Sequence, residues 1–280
     1  MKWRALKALA FLKKVNMRKE WRNFLLAIGF FTRIPVPSFA DFQESELNNS
    51  AKYFPLVGII VGLVGAVFFY LATFVFPQAL AVLVSMASTI YLTGAFHEDG
   101  LADSADGFGG GWQREQILTI MQDSRLGTYG AVALFFMLFA KFETLNLLHA
   151  TFIPLLLITG HALSRLSAVW VMATASYVKS TGKAKPLATQ IGVGHLLLAN
   201  VFGLLPFFVI VGLLAQSHHA PLVIIKFAFM TLLPVFAGWF WWRAKLLKNI
   251  GGYTGDGLGA TQQITELAFY MGALAWSVRL

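Results

Sequence analysis

Cysteine is absent from all 280 residues. That excludes disulfides, thiolate nucleophiles and every metal site built on sulfur. Charge is scarce as well. Only 12% of the residues are Asp, Glu, Lys or Arg, about half the roughly 25% of soluble domains. Acid is scarcer than base, with 13 Asp and Glu against 22 Lys and Arg and a net charge of +9. No Gly-x-x-x-x-Gly-Lys-Ser/Thr run exists, because Gly182-Lys183 lacks the upstream glycine; a P-loop ATPase is thereby excluded.

What the chain has instead is apolar length. Of its residues 57% are hydrophobic, and serial runs approach the roughly 20 residues that cross a bilayer. They are Phe54–Phe76, Ala79–Phe96, Ala131–Leu148, Phe152–Thr174, His195–Ala215, Leu222–Trp242 and a shorter Leu267–Val278. The expected fold is all-α, a polytopic integral membrane helix bundle with about six to seven transmembrane helices. It is read as one domain, with residues 1–23 an amphipathic interfacial helix and 24–280 the transmembrane bundle. Gly58, Gly62 and Gly65 in the first run suit close helix approach.

Charge placement gives the orientation. Basic residues crowd the N-terminus, the Lys179–Lys185 loop and the Arg243–Lys248 loop, while the connections near Pro77, His149 and Ser217 carry no Lys or Arg. Counting spans puts all three basic segments on one side, which the positive-inside rule makes the cytoplasm. The excess positive charge is therefore assigned to the membrane surface and not to nucleic acid. Lys141 and Lys226 fall inside spans, and snorkelling to the outer headgroups is their default explanation.

Against this background FHEDGLADSADGFGG, Phe96–Gly110, is anomalous: six of the 13 acidic residues lie between Glu98 and Asp123. If residues 97–107 continue the second span as a helix, Asp99, Asp103 and Asp106 share one face. Glu98 points off that face toward solvent. Like charges so placed repel, and a divalent cation offsets the repulsion; clustered oxygen ligands suit Mg²⁺. Asp123 supplies a fourth carboxylate if the amphipathic run GWQREQILTIMQDSRLGTYG lies on the membrane surface and folds back. A solvated acidic loop is the plainer alternative. Gly107, Gly109, Gly110 and Gly111 follow, and glycines let a backbone approach phosphate.

Four further positions complete the candidate set. His161 and Arg165 are four apart within one span and share a face; an intramembrane arginine is costly and usually functional, here as a partner for an anion or a carboxylate. Lys183 stands in a basic loop that suits a phosphorylated substrate. Asp256 is a lone carboxylate among Gly251, Gly252, Gly255, Gly257 and Gly259. Together these describe a membrane enzyme that uses Mg²⁺ and carboxylates on a phosphate-bearing substrate.

The run HEDGLADSADGFGGGWQREQILTIMQDSRLGTYGA resembles the signature of the prokaryotic cobalamin synthase family. FFTRIPVP (Phe30–Pro37), YFPLVGIIVG (Tyr53–Gly62) and GYTGDGLGATQQITE (Gly252–Glu266) extend the resemblance, in order, over most of the chain. The resemblance implies an Mg²⁺-dependent transferase of the inner membrane, its active site facing the cytoplasm. Its substrates would be adenosylcobinamide-GDP and α-ribazole or its 5′-phosphate, with GMP released. It also implies roles: Asp99, Asp103, Asp106 and Asp123 as metal ligands, one of them or His97 taking the proton of the attacking hydroxyl, and Arg125 and Arg165 holding phosphate oxygens. Gly107, Lys183 and Asp256 join Arg125 and Arg165 as substrate-binding candidates, and an oligomer is admitted.

Three other readings compete. A CDP-alcohol phosphotransferase pattern begins at Asp99-Gly100, but Ala102 and Asp103 occupy the wrong positions and no Arg follows. An intramembrane aspartyl protease needs Gly-x-Gly-Asp, and Tyr253 stands before Thr254-Gly255-Asp256. A divalent-cation transporter would spread its carboxylates at mid-membrane depth on facing helices. The sequence gathers them at one edge.

Overall fold

The structure, a computed structural model, describes residues 2–39, 45–178, 191–217 and 220–278. They form eleven α-helices: α1 (Lys2–Phe31), α2 (Ser45–Ser50), α3 (Phe54–Thr73), α4 (Gln78–Thr93), α5 (Phe96–Gly110), α6 (Arg114–Met121), α7 (Thr128–Leu147), α8 (Ile153–Thr174), α9 (Val193–Gln216), α10 (Pro221–Ile250) and α11 (Gly255–Ser277). A single isolated β-bridge joins Tyr177 and Tyr253 among the described residues. The basic N-terminal segment and the apolar FLLAIGFF run are one helix, unbroken across residue 23.

Among the described residues five helices are long and apolar enough to span a membrane: α3 (with its lead-in from Asn48), α7, α8, α9 and α10. A sixth appears if α4 and α5 count as one bent span. The chain is a multi-pass membrane protein. Large apolar side chains cover its exterior, among them Phe68, Phe135, Phe136, Phe208 and Phe240, all exposed, as lipid contact requires.

α8 and α11 form the buried centre. α8 hides nearly its whole length, from Ile153 to Met172, and α3 lies directly against it. A side chain at Gly58 would strike the backbone of His161 and Ala162, and one at Gly62 the backbone of Ile158. The glycines thus permit the close approach expected of them. Gly65 faces α4, where Ser85 Oγ donates to its carbonyl at 2.8 Å.

The expected continuation of the second span into the acidic helix does not occur. Gly94 (φ 66°) and Ala95 (φ 59°) are both left-handed, and α5 leaves α4 at 85°. Glycine takes this conformation freely; Ala95 is strained there. The end of α1 and the segment after it brace the corner: Arg33 N–H donates to Leu92 C=O at 2.8 Å, and the Phe31 ring stacks on His97 at 5.5 Å.

The ends of the bundle differ in chemistry. At one end Gln78 Nε2 donates to the carbonyls of Asn146 and Leu148, joining the connection after α3 to the one after α7. Trp276 Nε1, near the end of α11, reaches Val223 C=O near the start of α10 at 3.3 Å. At the other end Arg114 caps α10 through Ile250 C=O at 2.9 Å, and Arg243 caps α8 through Thr174 C=O. Of the basic segments used for the orientation, the Arg243–Lys248 stretch stands at this end, and the Lys179–Lys185 loop lies outside the described residues. Lys226 is exposed on the second turn of α10. Lys141 is not at a headgroup: it is 5% exposed and paired inside the bundle, so the snorkelling explanation is corrected for it.

Candidate functional site

The acidic helix α5 crosses the first turns of α11 at glycine against glycine. A Cβ on Gly100 would lie 3.0 Å from Asp256 C=O, 3.1 Å from Asp256 Cα and 3.2 Å from Gly259 Cα; one on Gly259 would meet Gly100 Cα at 3.2 Å. All of these neighbours are backbone, so only glycine lets the two helices come this close. The contact brings Asp99 and Asp103 of α5 into electrostatic range of Asp256. Asp99 is exposed, while Asp103 and Asp256 are half-buried at the rim. Thr254 caps α11, accepting from Gly257 N–H at 3.1 Å. Of the five glycines around Asp256, Gly255, Gly257 and Gly259 lie in the first two turns of this helix.

The remaining predicted residues fall elsewhere. Asp106 is buried, and its two oxygens accept from Gly127 N–H at 2.8 Å and Gly130 N–H at 2.9 Å. It holds the N-terminus of α7, where orphan N–H groups and the helix dipole favour a carboxylate. Asp123 is forked by Arg125, with Nη2 at 2.6 Å from Oδ2 and Nε at 3.0 Å from Oδ1. Those hydrogen bonds pull Asp123 down to about 2. Arg125 itself is exposed. Gly107 is buried against α6: a Cβ there would meet Met121 Cγ at 2.6 Å and Ile117 C=O at 3.1 Å, so its smallness serves packing. Lys183 lies outside the described residues.

His161 and Arg165 do share a face, with Arg165 Nη1 donating to His161 C=O at 3.1 Å. Both are buried, beneath the rim and in a polar network that the sequence reading missed. Lys141 Nζ of α7 pairs with Glu266 Oε1 of α11 at 2.8 Å. Glu266 Oε2 meets His161 Nδ1 of α8 at 3.0 Å and accepts from Gln262. Gln262 also donates to Ser164 at 3.1 Å. Glu98 turns inward, bonded to Gln263 at 3.1 Å, and is not the solvated side chain expected. His97 is 4% exposed, stacked under Phe31. A small cavity of about 20 Å³, bordered by Glu98, Lys141, His161 and Glu266, adjoins the network.

Tyr177 was also missed. Val178 N–H donates to Tyr253 C=O at 2.8 Å, and Tyr253 N–H to Ser176 C=O at 2.9 Å. This bridge pins a partly exposed ring within electrostatic range of Asp256. Burial first, then Asp256, holds the Tyr177 phenol above its ordinary range, so at neutral pH it is a hydroxyl donor. No local sequence pattern announces it; a bridge between residues 76 apart in the chain creates it.

As the side chains stand, no three His, Asp or Glu among the described residues form a ready metal set. The donor chemistry still fits Mg²⁺. That ion seldom occupies an all-protein cage and is usually held by one or two carboxylates together with waters and substrate phosphates. Three like charges at one crossing also favour a cation.

Fold and site together define a multi-pass membrane protein with a carboxylate-lined, glycine-built crossing at its charged end. The sequence pattern of the family described as cobalamin-5-phosphate synthase matches residues 23–274, and the chain belongs to that family, as a transferase. An adenosylcobinamide-GDP ribazoletransferase of Ralstonia pickettii is 43% identical over 263 residues, 93% of this chain and 98% of the relative. A Shewanella amazonensis protein of that name is 43% identical over 268 residues, 94% of this chain and 98% of its own. A third, from Shewanella oneidensis, is 41% identical over 92% of this chain and 95% of its own. No solved structure matches the chain.

Proposed function

We propose that the protein joins adenosylcobinamide-GDP to α-ribazole or its 5′-phosphate, at the cytoplasmic face of a prokaryotic inner membrane, with GMP released. The acceptor hydroxyl attacks the phosphorus attached to cobinamide. A new P–O bond forms, the P–O bond to GMP breaks, and the hydroxyl proton passes to a carboxylate. The observation that carries this reading is the α5–α11 crossing, which assembles Asp99, Asp103 and Asp256 at one rim in a chain of this family.

Asp99, Asp103 and Asp256 are the residues that would hold Mg²⁺, which when bound neutralises charge on the diphosphate oxygens. The protein's own part is positioning. Asp106 locks α5 to α7 and leaves its neighbours free for ligand. Tyr177 offers a hydroxyl and a ring face beside Asp256. His97, buried under Phe31, is less suited to take the proton than the rim aspartates. Lys183 and its basic loop begin directly after the Tyr177 bridge, which suits electrostatic attraction of an anionic substrate.

The test is GMP release from a GDP-linked corrinoid by purified protein. Chelation should abolish it and Mg²⁺ restore it. Asp99→Asn, Asp103→Asn and Asp256→Asn should each cost about 100-fold or more without loss of membrane insertion. Near-normal turnover in the first two rejects the carboxylate assignment. Metal flux into vesicles without turnover would instead favour a cation transporter.

A further inference from the structure

The glycine crossing sets how close α5 and α11 come, but glycines have no side chains to fix how α5 is rolled about its axis. Roll matters, because successive residues leave a helix about 100° apart. Asp99 and Asp103 face Asp256 only at one setting. Asp106 secures the C-terminal half of α5 through the start of α7. The N-terminal half carries Glu98, whose side chain points into the bundle next to the rim residue Asp99.

There Glu98 Oε1 accepts from Gln263 Nε2 at 3.1 Å. Gln263 has little freedom. Its amide nitrogen also donates to Gln262 Oε1 at 2.9 Å, and its oxygen accepts from Lys141 Nζ at 2.7 Å. Lys141 is held in turn by Glu266, and Glu266 by His161. The chain of contacts therefore runs from α5 through α11 and α7 to α8. Gln263 is 2% exposed, and in such surroundings a broken hydrogen bond leaves a desolvated polar atom. Other rolls of α5 are penalised accordingly.

We propose that Glu98 and Gln263 are positioning residues: their hydrogen bond, anchored on Lys141, fixes the roll of α5 so that Asp99 and Asp103 face Asp256. This deepens the reading of the crossing as the cation-binding site and rests on it. Two measurements on the full-length protein test it.

Mn²⁺ binding without substrate, followed by electron paramagnetic resonance, should weaken about tenfold in Glu98→Met and Gln263→Met. It should stay near the parent value in Glu98→Gln, which keeps an acceptor oxygen. Independently of any metal, Asp103→Cys with Asp256→Cys in this cysteine-free chain should react with a short bis-maleimide. Adding Glu98→Met or Gln263→Met should slow that cross-link, and adding Glu98→Gln should not. Met is close in length to both side chains, and Glu98 is partly exposed, so melting in detergent should identify variants that remain folded. Cross-linking at the parent rate in both Met variants overturns the proposal. A parent protein that binds no Mn²⁺ yet cross-links only with the Glu98–Gln263 bond intact would sink the metal reading and leave the positioning role standing.

Discussion

Asp106 and Asp103 stand three residues apart on α5 and meet different surroundings. Asp106 accepts from two backbone N–H groups of α7, so Asp106→Ala should cost about 2 kcal/mol by leaving them unpaired. Asp103→Asn keeps the size of its side chain at a half-buried rim and should leave the melting temperature unchanged while turnover is lost. Melting in detergent beside GMP release separates the two. Asp123 illustrates a third situation. Its carboxylate is pulled below the ordinary 3.8 to about 2, by the Arg125 side chain first and then the Arg125 backbone. A depressed value means the interaction is complete above 3.8 and is lost as pH falls through about 2. The activity profile between about pH 5 and 9 should therefore contain no step that Asp123→Asn removes.

At the scale of elements, the α5–α11 crossing makes its own prediction. A methyl group on Gly100 meets only backbone, at 3.0 to 3.2 Å, and backbone yields less readily than a flexible side chain. Gly100→Ala should push the helices apart, costing about 1–3 kcal/mol and at least tenfold in turnover, with insertion intact by membrane fractionation. Much of this was legible in sequence. Apolar length marked most of the spans, glycine spacing marked α3 as a close-packing helix without naming its partner, and the acidic run marked the site helix. What could not be read were relations between distant segments. The bend at Gly94-Ala95 depends on a residue pair with no special pattern. The meeting of Asp256 with Asp99 joins residues 157 apart. Glu98 looked solvated because its partner, Gln263, belongs to another helix. Lys141 looked like a snorkelling lysine because a single span does not reveal the opposite charge waiting in a neighbour, although Glu266 lay in view within GYTGDGLGATQQITE.

At the scale of the molecule, two polar layers divide the labour: a rim of carboxylates, and beneath it a network tying α5, α7, α8 and α11 together. Lys141→Met removes the lysine that pairs with the buried Glu266, and breaking a buried pair typically costs about 3–5 kcal/mol. Lys141→Met with Glu266→Gln should recover part of that loss, measured as melting in detergent, since the carboxylate left without its lysine is removed. The layers also fix a polarity that can be checked directly. Trp112, 92% exposed, follows α5 at the rim end, whereas Ser217, exposed after α9, marks the opposite end. In this cysteine-free chain one introduced cysteine reports alone. If the rim faces the cytoplasm, Ser217→Cys should react in intact cells with a maleimide that cannot cross the membrane, and Trp112→Cys only after the cells are opened. The reverse pattern would place the carboxylates outside and contradict the positive-inside assignment. It would also separate the site from a cytoplasmic supply of nucleotide-activated substrate, which the proposed transfer requires.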